Sequence, residues 1–201
     1  MMYPRIKLKF IGIIVLYLSM YTSAALATDC NERSPNFSAD NDEYYDLDAN
    51  KELTNNEKKE FGKLLKKLSG KWKGSLVHLE CKGSIKNSRR IIQEADVDAN
   101  IRNSSNNIFH MDYEAHYLKV RRSSLKKLKT LGQDTIFTYE LKDENNIVFS
   151  EKYRRTNANR ASYSVENIYE ISLSGNTLKL VQTTYFNGFF AWSDKWSLKS
   201  R

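Results

Sequence analysis

Residues Leu68–Gly83 read LSGKWKGSLVHLECKG, and within them the periodicity of the chain changes. Upstream, Phe61, Leu64, Leu65 and Leu68 fall at i, i+3, i+4 and i+7, with Lys58, Lys59, Lys63, Lys66 and Lys67 on the other side. That spacing predicts an amphipathic helix over Thr54–Ser69. Thr54 and Glu57 make a T-x-x-E capping box at its start, and Gly70 suits its C-terminal end. Downstream the period drops to two. Gly70 and Gly74 bracket Trp72, which allows a tight turn and close packing around that ring.

From there the chain reads as strand after strand. Pro4 and Pro35 are its two prolines, both upstream of the helix, so none interrupts the runs that follow. Val97, Ala99 and Ile101 alternate with Asp96, Asp98, Asn100 and Arg102. Phe109, Met111, Tyr113, Ala115 and Tyr117 alternate with His110, Asp112, Glu114 and His116. Phe137, Tyr139 and Leu141 lead through a KDENN turn into Ile147, Phe149 and Tyr153. Tyr163, Val165, Tyr169 and Ile171 lead through SGN into Leu178 and Leu180. The last run puts Trp192, Trp196 and Leu198 on one face and Ser193, Lys195, Ser197 and Lys199 on the other. Roughly eight antiparallel strands, each with one dry and one wet face, define an all-β domain that closes as a barrel or stacks as a sandwich.

The short helix followed by G-x-W at the first strand, and the final FNGFFAWSDKWSLKSR, resemble the two ends of lipocalins and related calycin barrels. The resemblance covers residues 68–201 in layout, and the family's middle T-D-Y motif is not evident. It implies a calycin-like antiparallel barrel preceded by one amphipathic helix, with Trp72 plugging the closed end under Arg201 or Lys199. A β-sandwich is the alternative. The resemblance also suggests a lumen for an amphipathic small molecule.

The first 27 residues read as a signal peptide. Arg5, Lys7 and Lys9 precede the apolar run Phe10–Met20, and Ala25-Leu26-Ala27 supplies small residues at a cleavage site. Cleavage after Ala27 is expected, in preference to an uncleaved anchor. The processed chain is then not transmembrane, and is periplasmic or secreted. In an oxidising compartment Cys30 and Cys81, the two cysteines, are expected to form a disulfide. The net charge of +8 is uneven, because residues 28–53 hold eight acids against Arg33 and Lys51. An acidic arm (28–53) therefore precedes a basic helix-plus-barrel domain (54–201).

Across the junction of arm and helix, Asp46, Asp48, Asn50, Glu52, Thr54 and Glu57 occupy positions 1, 3, 5, 7, 9 and 12 of an EF-hand-like loop, so calcium is the one cofactor suggested. Lys51 replaces the glycine such a loop wants, and the capping box accounts for Thr54 and Glu57 without a metal. His110, Asp112, Glu114 and His116 share one strand face, a zinc- or copper-like spacing that a solvated face also explains. No G-x-S-x-G, H-E-x-x-H or phosphate-cradling glycine loop occurs, so the reading is a non-enzymatic binding protein. Its expected ligand site is Trp72, His78, Glu80, Tyr139, Phe149, Tyr163 and Trp196. The segment KVRRSSLKKLK (119–129), with Arg121, Arg122, Lys126 and Lys127, offers a basic surface for an anionic surface or a protein partner. An interaction module such as an inhibitor, immunity or accessory factor is the alternative function. Nucleic acid is not expected for an exported chain.

Overall fold

The computed structural model describes residues 29–37, 52–83, 87–103, 109–129, 136–156 and 158–201. The expected signal peptide and the loop residues Asp46, Asp48 and Asn50 lie outside the described residues. Helix α1 spans Asn55–Leu68. The capping box closes as expected: Thr54 donates its backbone N–H to Glu57 Oε2 at 2.8 Å, and Glu57 N–H reaches Thr54 Oγ1 at 3.3 Å. Phe61, Leu64, Leu65 and Leu68 are buried. Ser69 is the C-cap, in an extended conformation, and Gly70 follows at φ +142°, where a side chain is disfavoured. The reversal points Trp72 back at the helix. Its indole N–H donates to the Leu68 carbonyl at 2.8 Å, satisfying one of the acceptors a helix leaves open at its C-terminus.

Nine antiparallel strands follow: β1 (Gly70–Lys82), β2 (Arg89–Asn103), β3 (Phe109–Tyr117), β4 (Arg122–Lys129), β5 (Ile136–Asp143), β6 (Asn146–Thr156), β7 (Ser162–Ser174), β8 (Thr177–Phe186) and β9 (Phe189–Ser200). They form one sheet in the order β4-β3-β2-β1-β9-β8-β7-β6-β5. Two meanders are thus joined by pairing the first strand with the last, Leu76 opposite Trp196 and His78 opposite Asp194. Among the described residues the sheet is not closed; β4 and β5 are its edges.

The sheet nevertheless curves around α1. On a flat sheet β2 and β6 would lie about 24 Å apart, five steps of about 4.8 Å. The helix packs against β2 and also places the Phe61 ring 5.2 Å from Phe149 on β6 and 6.2 Å from Tyr139 on β5. One core therefore gathers α1 with inward residues of every strand, including Trp72, Ala99, Met111, Leu128, Ile136, Phe149, Tyr169, Leu180 and Trp196. Gly74 belongs to this bend. A Cβ there would overlap the Ser197 carbonyl oxygen on β9, so β1 and β9 approach more closely than any side chain permits.

The described part of the arm packs on the convex face. Cys30 is bonded to Cys81, as expected. Ser34 N–H donates to the Gly188 carbonyl at 2.8 Å and Phe190 N–H to the Glu32 carbonyl at 2.9 Å. Arg33 stacks its guanidinium 3.7 Å from the centre of the Phe189 ring. Residues 29–37 are thus held by covalent, backbone and cation–π contacts, with a basic side chain prominent among them. They lie beside a small apolar cluster of Ile168, Tyr185 and Phe190.

Gly74→Ala is expected to destabilise the fold by about 1–3 kcal/mol, because backbone must move to admit the methyl; urea unfolding reads the shift. Reducing the disulfide should cost about 3–4 kcal/mol by freeing a loop of 51 residues. Unfolding curves with and without reductant that superimpose would contradict it.

Candidate functional site

Register places the inward residues in rows across the sheet. One row runs Leu180, Trp196, Leu76, Ala95, Tyr117, Arg122. Two residues further along β1, the row runs Tyr169, Gln182, Asp194, His78, Gln93. Within that step the concave face turns polar on β8, β9, β1 and β2, while β6 and β7 stay aromatic with Phe149 and Tyr169.

His78 anchors that polar end. Its Nδ1 lies 2.7 Å from Asp194 Oδ1, and the two side chains are 17% and 14% exposed. A carboxylate at that distance accepts a hydrogen bond from Nδ1–H, which leaves Nε2 on the side of Glu80, whose Oε2 is 4.0 Å away. Beside them, Thr184 Oγ1 donates to Asn167 Oδ1 at 2.8 Å. The Gln182 amide nitrogen lies 3.4 Å from both of those oxygens. Burial, reinforced by the nearby Glu151 carboxylate, holds the Tyr169 hydroxyl well above its ordinary range. Burial does the same for Tyr113, with Asp194 and then Tyr117 adding to it. Tyr113 meets the Trp196 ring edge-on at 5.8 Å. The Trp196 indole N–H is buried and has no acceptor among the described residues.

The expected ligand residues divide into two groups. Trp72, Phe149 and Trp196 are in the core, and Tyr139 is half-buried against it. Phe61 of α1 fills the space between Tyr139 and Phe149. Burial, then Glu57 and Glu60, pushes the Tyr139 hydroxyl up to about 12. His78 and Glu80 come together at the polar end. Tyr163 packs on Phe186 at 5.3 Å, and Phe186 on Trp192 at 5.1 Å. Arg201, expected over Trp72, pairs with Asp98, which shares the opposite face with its register partner Lys73.

Asp194, Gln182, Asn167 and Thr184 were not among the expected residues. The signal was present: Asp194 has the same parity as Trp192 and Trp196, and Gln182 the same parity as Leu178 and Leu180. A polar residue at an inward position of a strand marks a site or a buried network.

Of the calcium set, Glu52, Thr54 and Glu57 are described, and the Glu57 carboxylate accepts from the Thr54 backbone and hydroxyl. The strand His110–His116 faces outward. Asp112 pairs with Arg102, and His116 Nδ1 lies 2.7 Å from Ser123 Oγ. Among the described residues no three histidine, cysteine or carboxylate side chains converge as metal ligands. A groove of about 740 Å³ crosses β1–β4, bordered by Asp98, Asp112, Lys127, Arg201 and Leu125. No family model matches this chain, and no curated protein is significantly similar to it.

The convex face holds a second polar cluster. Lys152 Nζ lies 3.9 Å from Glu166 with both side chains 1% exposed, and 3.4 Å from the centre of the Phe137 ring. Glu166 accepts from the Ser34 hydroxyl and from the Asn36 amide at 2.8 Å, so this cluster ties the arm to the sheet. Burial pulls Lys152 down to about 8, against the opposing pull of Glu166. Between that value and about 10.4, the ordinary lysine pKa, the unfolded chain therefore binds more protons. Stability should rise with pH between about 8 and 9.5, and the rise should be missing in Lys152→Met. Above about pH 10 the buried tyrosines reverse the trend, because the fold keeps them protonated. Thermal melts of both proteins across pH 7.5–9.5 check this; parallel curves would contradict it.

Proposed function

We propose that this chain is an exported, non-enzymatic binding protein that takes an amphipathic small molecule on the concave face of its sheet. The observation that carries the reading is the buried Trp196 indole N–H without an acceptor. It lies one row from the His78–Asp194 pair. Buried donors in folded proteins are nearly always satisfied, and a ligand oxygen would satisfy this one. The surroundings suit such a molecule. Apolar and aromatic side chains supply most of the surface, and His78, Asp194 and Glu80 supply a few fixed polar groups. Helix α1 ends beside Trp72 and its Phe61 packs on Tyr139 and Phe149, so the His78–Asp194 side of the face is the part proposed for the ligand.

A second reading, an interaction module, draws support from β4. It is an edge strand with Leu125 85% exposed and Arg121 and Lys127 exposed beside it. An acidic partner adding a strand there would meet both charge and hydrogen-bonding complementarity.

Native mass spectrometry of the exported protein, combined with uptake of a fluorescent amphipathic probe, tests the first reading. Trp196→Phe should weaken probe binding about fivefold, the worth of one hydrogen bond of about 1 kcal/mol, in a protein that still melts cooperatively. Wild-type protein that carries no adduct and takes up no probe overturns this reading in favour of the interaction module.

A further inference from the structure

The basic segment 119–129 is divided by strand alternation. Register sets Arg122 opposite Tyr117, Ser124 opposite Ala115 and Lys126 opposite Tyr113. Because Tyr113, Ala115 and Tyr117 are buried on the concave face, Arg122, Ser124 and Lys126 share that face, while Lys127 lies on the other. The two concave cations converge. The Arg122 guanidinium lies 5.4 Å from the centre of the Tyr117 ring and the Lys126 ammonium 5.2 Å from it. Lys126 also donates to the Tyr117 hydroxyl oxygen at 2.6 Å, which leaves that hydroxyl its own proton to donate. Ser124 sits between them, opposite Ala115 in the register, and its buried hydroxyl has no hydrogen-bond partner among the described residues.

Carboxylates of the neighbouring strands neutralise other cations, as Asp112 on β3 does Arg102 and Asp98 on β2 does Arg201. Among the described residues Arg122 and Lys126 form no such pair. Two like charges gathered at one phenol repel each other, and the attraction of the ring for the Arg122 guanidinium offsets only part of that. An oxyanion resolves the arrangement. It would take charge-assisted hydrogen bonds from Arg122 and Lys126 and neutral ones from the Ser124 and Tyr117 hydroxyls.

We propose that Arg122, Ser124, Lys126 and Tyr117 form an oxyanion site at the concave edge of β4. It receives the phosphate, sulfate or carboxylate head of the bound molecule. This rests on the binding-protein reading for the source of the anion, and not for the site itself. Arg121 and Lys127 take no part.

Titration calorimetry with octyl phosphate, octanol and inorganic phosphate separates the two claims. Octyl phosphate is expected to bind wild-type protein at least tenfold more tightly than octanol does. Arg122→Gln/Lys126→Gln should remove that advantage, and Arg121→Gln/Lys127→Gln, with the same loss of charge, should keep it. Ser124→Ala should weaken octyl phosphate several-fold and leave octanol unchanged. It removes one oxygen and provides the reading if the double variant fails to fold. Octyl phosphate and octanol binding alike, or equal losses in the two double variants, overturns the oxyanion site and leaves the amphipathic ligand standing. Inorganic phosphate binding with neither octyl compound bound keeps the site and overturns the amphipathic ligand. No binding by any of the three overturns both.

Discussion

The pairing of β1 with β9 is the contact on which the architecture rests. Without it the chain is two separate meanders, one of four strands and one of five, each with an unpaired edge and half a core. The pairing is close because Gly74 carries no side chain toward the Ser197 carbonyl, and the closeness helps the sheet bend around α1. Burial of Phe61, Leu64, Leu65 and Leu68 follows from that bend. The turn of the chain at Gly70 then brings the Trp72 indole onto the last helical carbonyl. Helix, turn and first strand form one continuous packing unit.

The same curvature gives the two faces different work. The concave face is apolar where Phe61, Leu64, Leu65 and Leu68 of the helix pack into it, and its polar side chains gather around His78 and Asp194. On the convex face, a buried lysine–glutamate pair is affordable because the arm covers it and supplies Ser34 and Asn36 as further partners. A pair this deeply buried contributes little net stability. Its effect is to select one docking of the arm, since sliding the arm would leave Glu166 without those donors.

Much of this was legible locally. The helix and its cap, the alternating strands and the hairpin turns depend on residues within a few positions of one another, and they appear where the periodicity predicts. The disulfide was legible because only one pairing of two cysteines exists. The contacts that escaped are long-range. His78 meets Asp194 across 116 residues, and Ser34 meets Glu166 across 132. No local pattern reports such pairing. Asp194 also sits among lysines and serines, which disguises its inward parity. In residues 29–37 Arg33, Ser34 and Asn36 make side-chain contacts with the sheet, which a count of acids over 28–53 does not report, because it does not say which atoms face the sheet.

The pairing of first strand with last has a kinetic side. A nascent chain makes β1 early and must wait until residues 189–200 emerge before that strand has its second neighbour. During the interval the β1 edge is open to any other extended segment, including another copy of itself. Contacts of such sequence separation also slow folding. Gly74 and the four lysines and glutamates on and near that edge, Lys71, Lys73, Glu80 and Lys82, bear on this stage: glycine lowers the strand propensity of the waiting edge, and the charges disfavour self-association. The molecule thus relies, while half made, on residues whose role in the finished sheet is different.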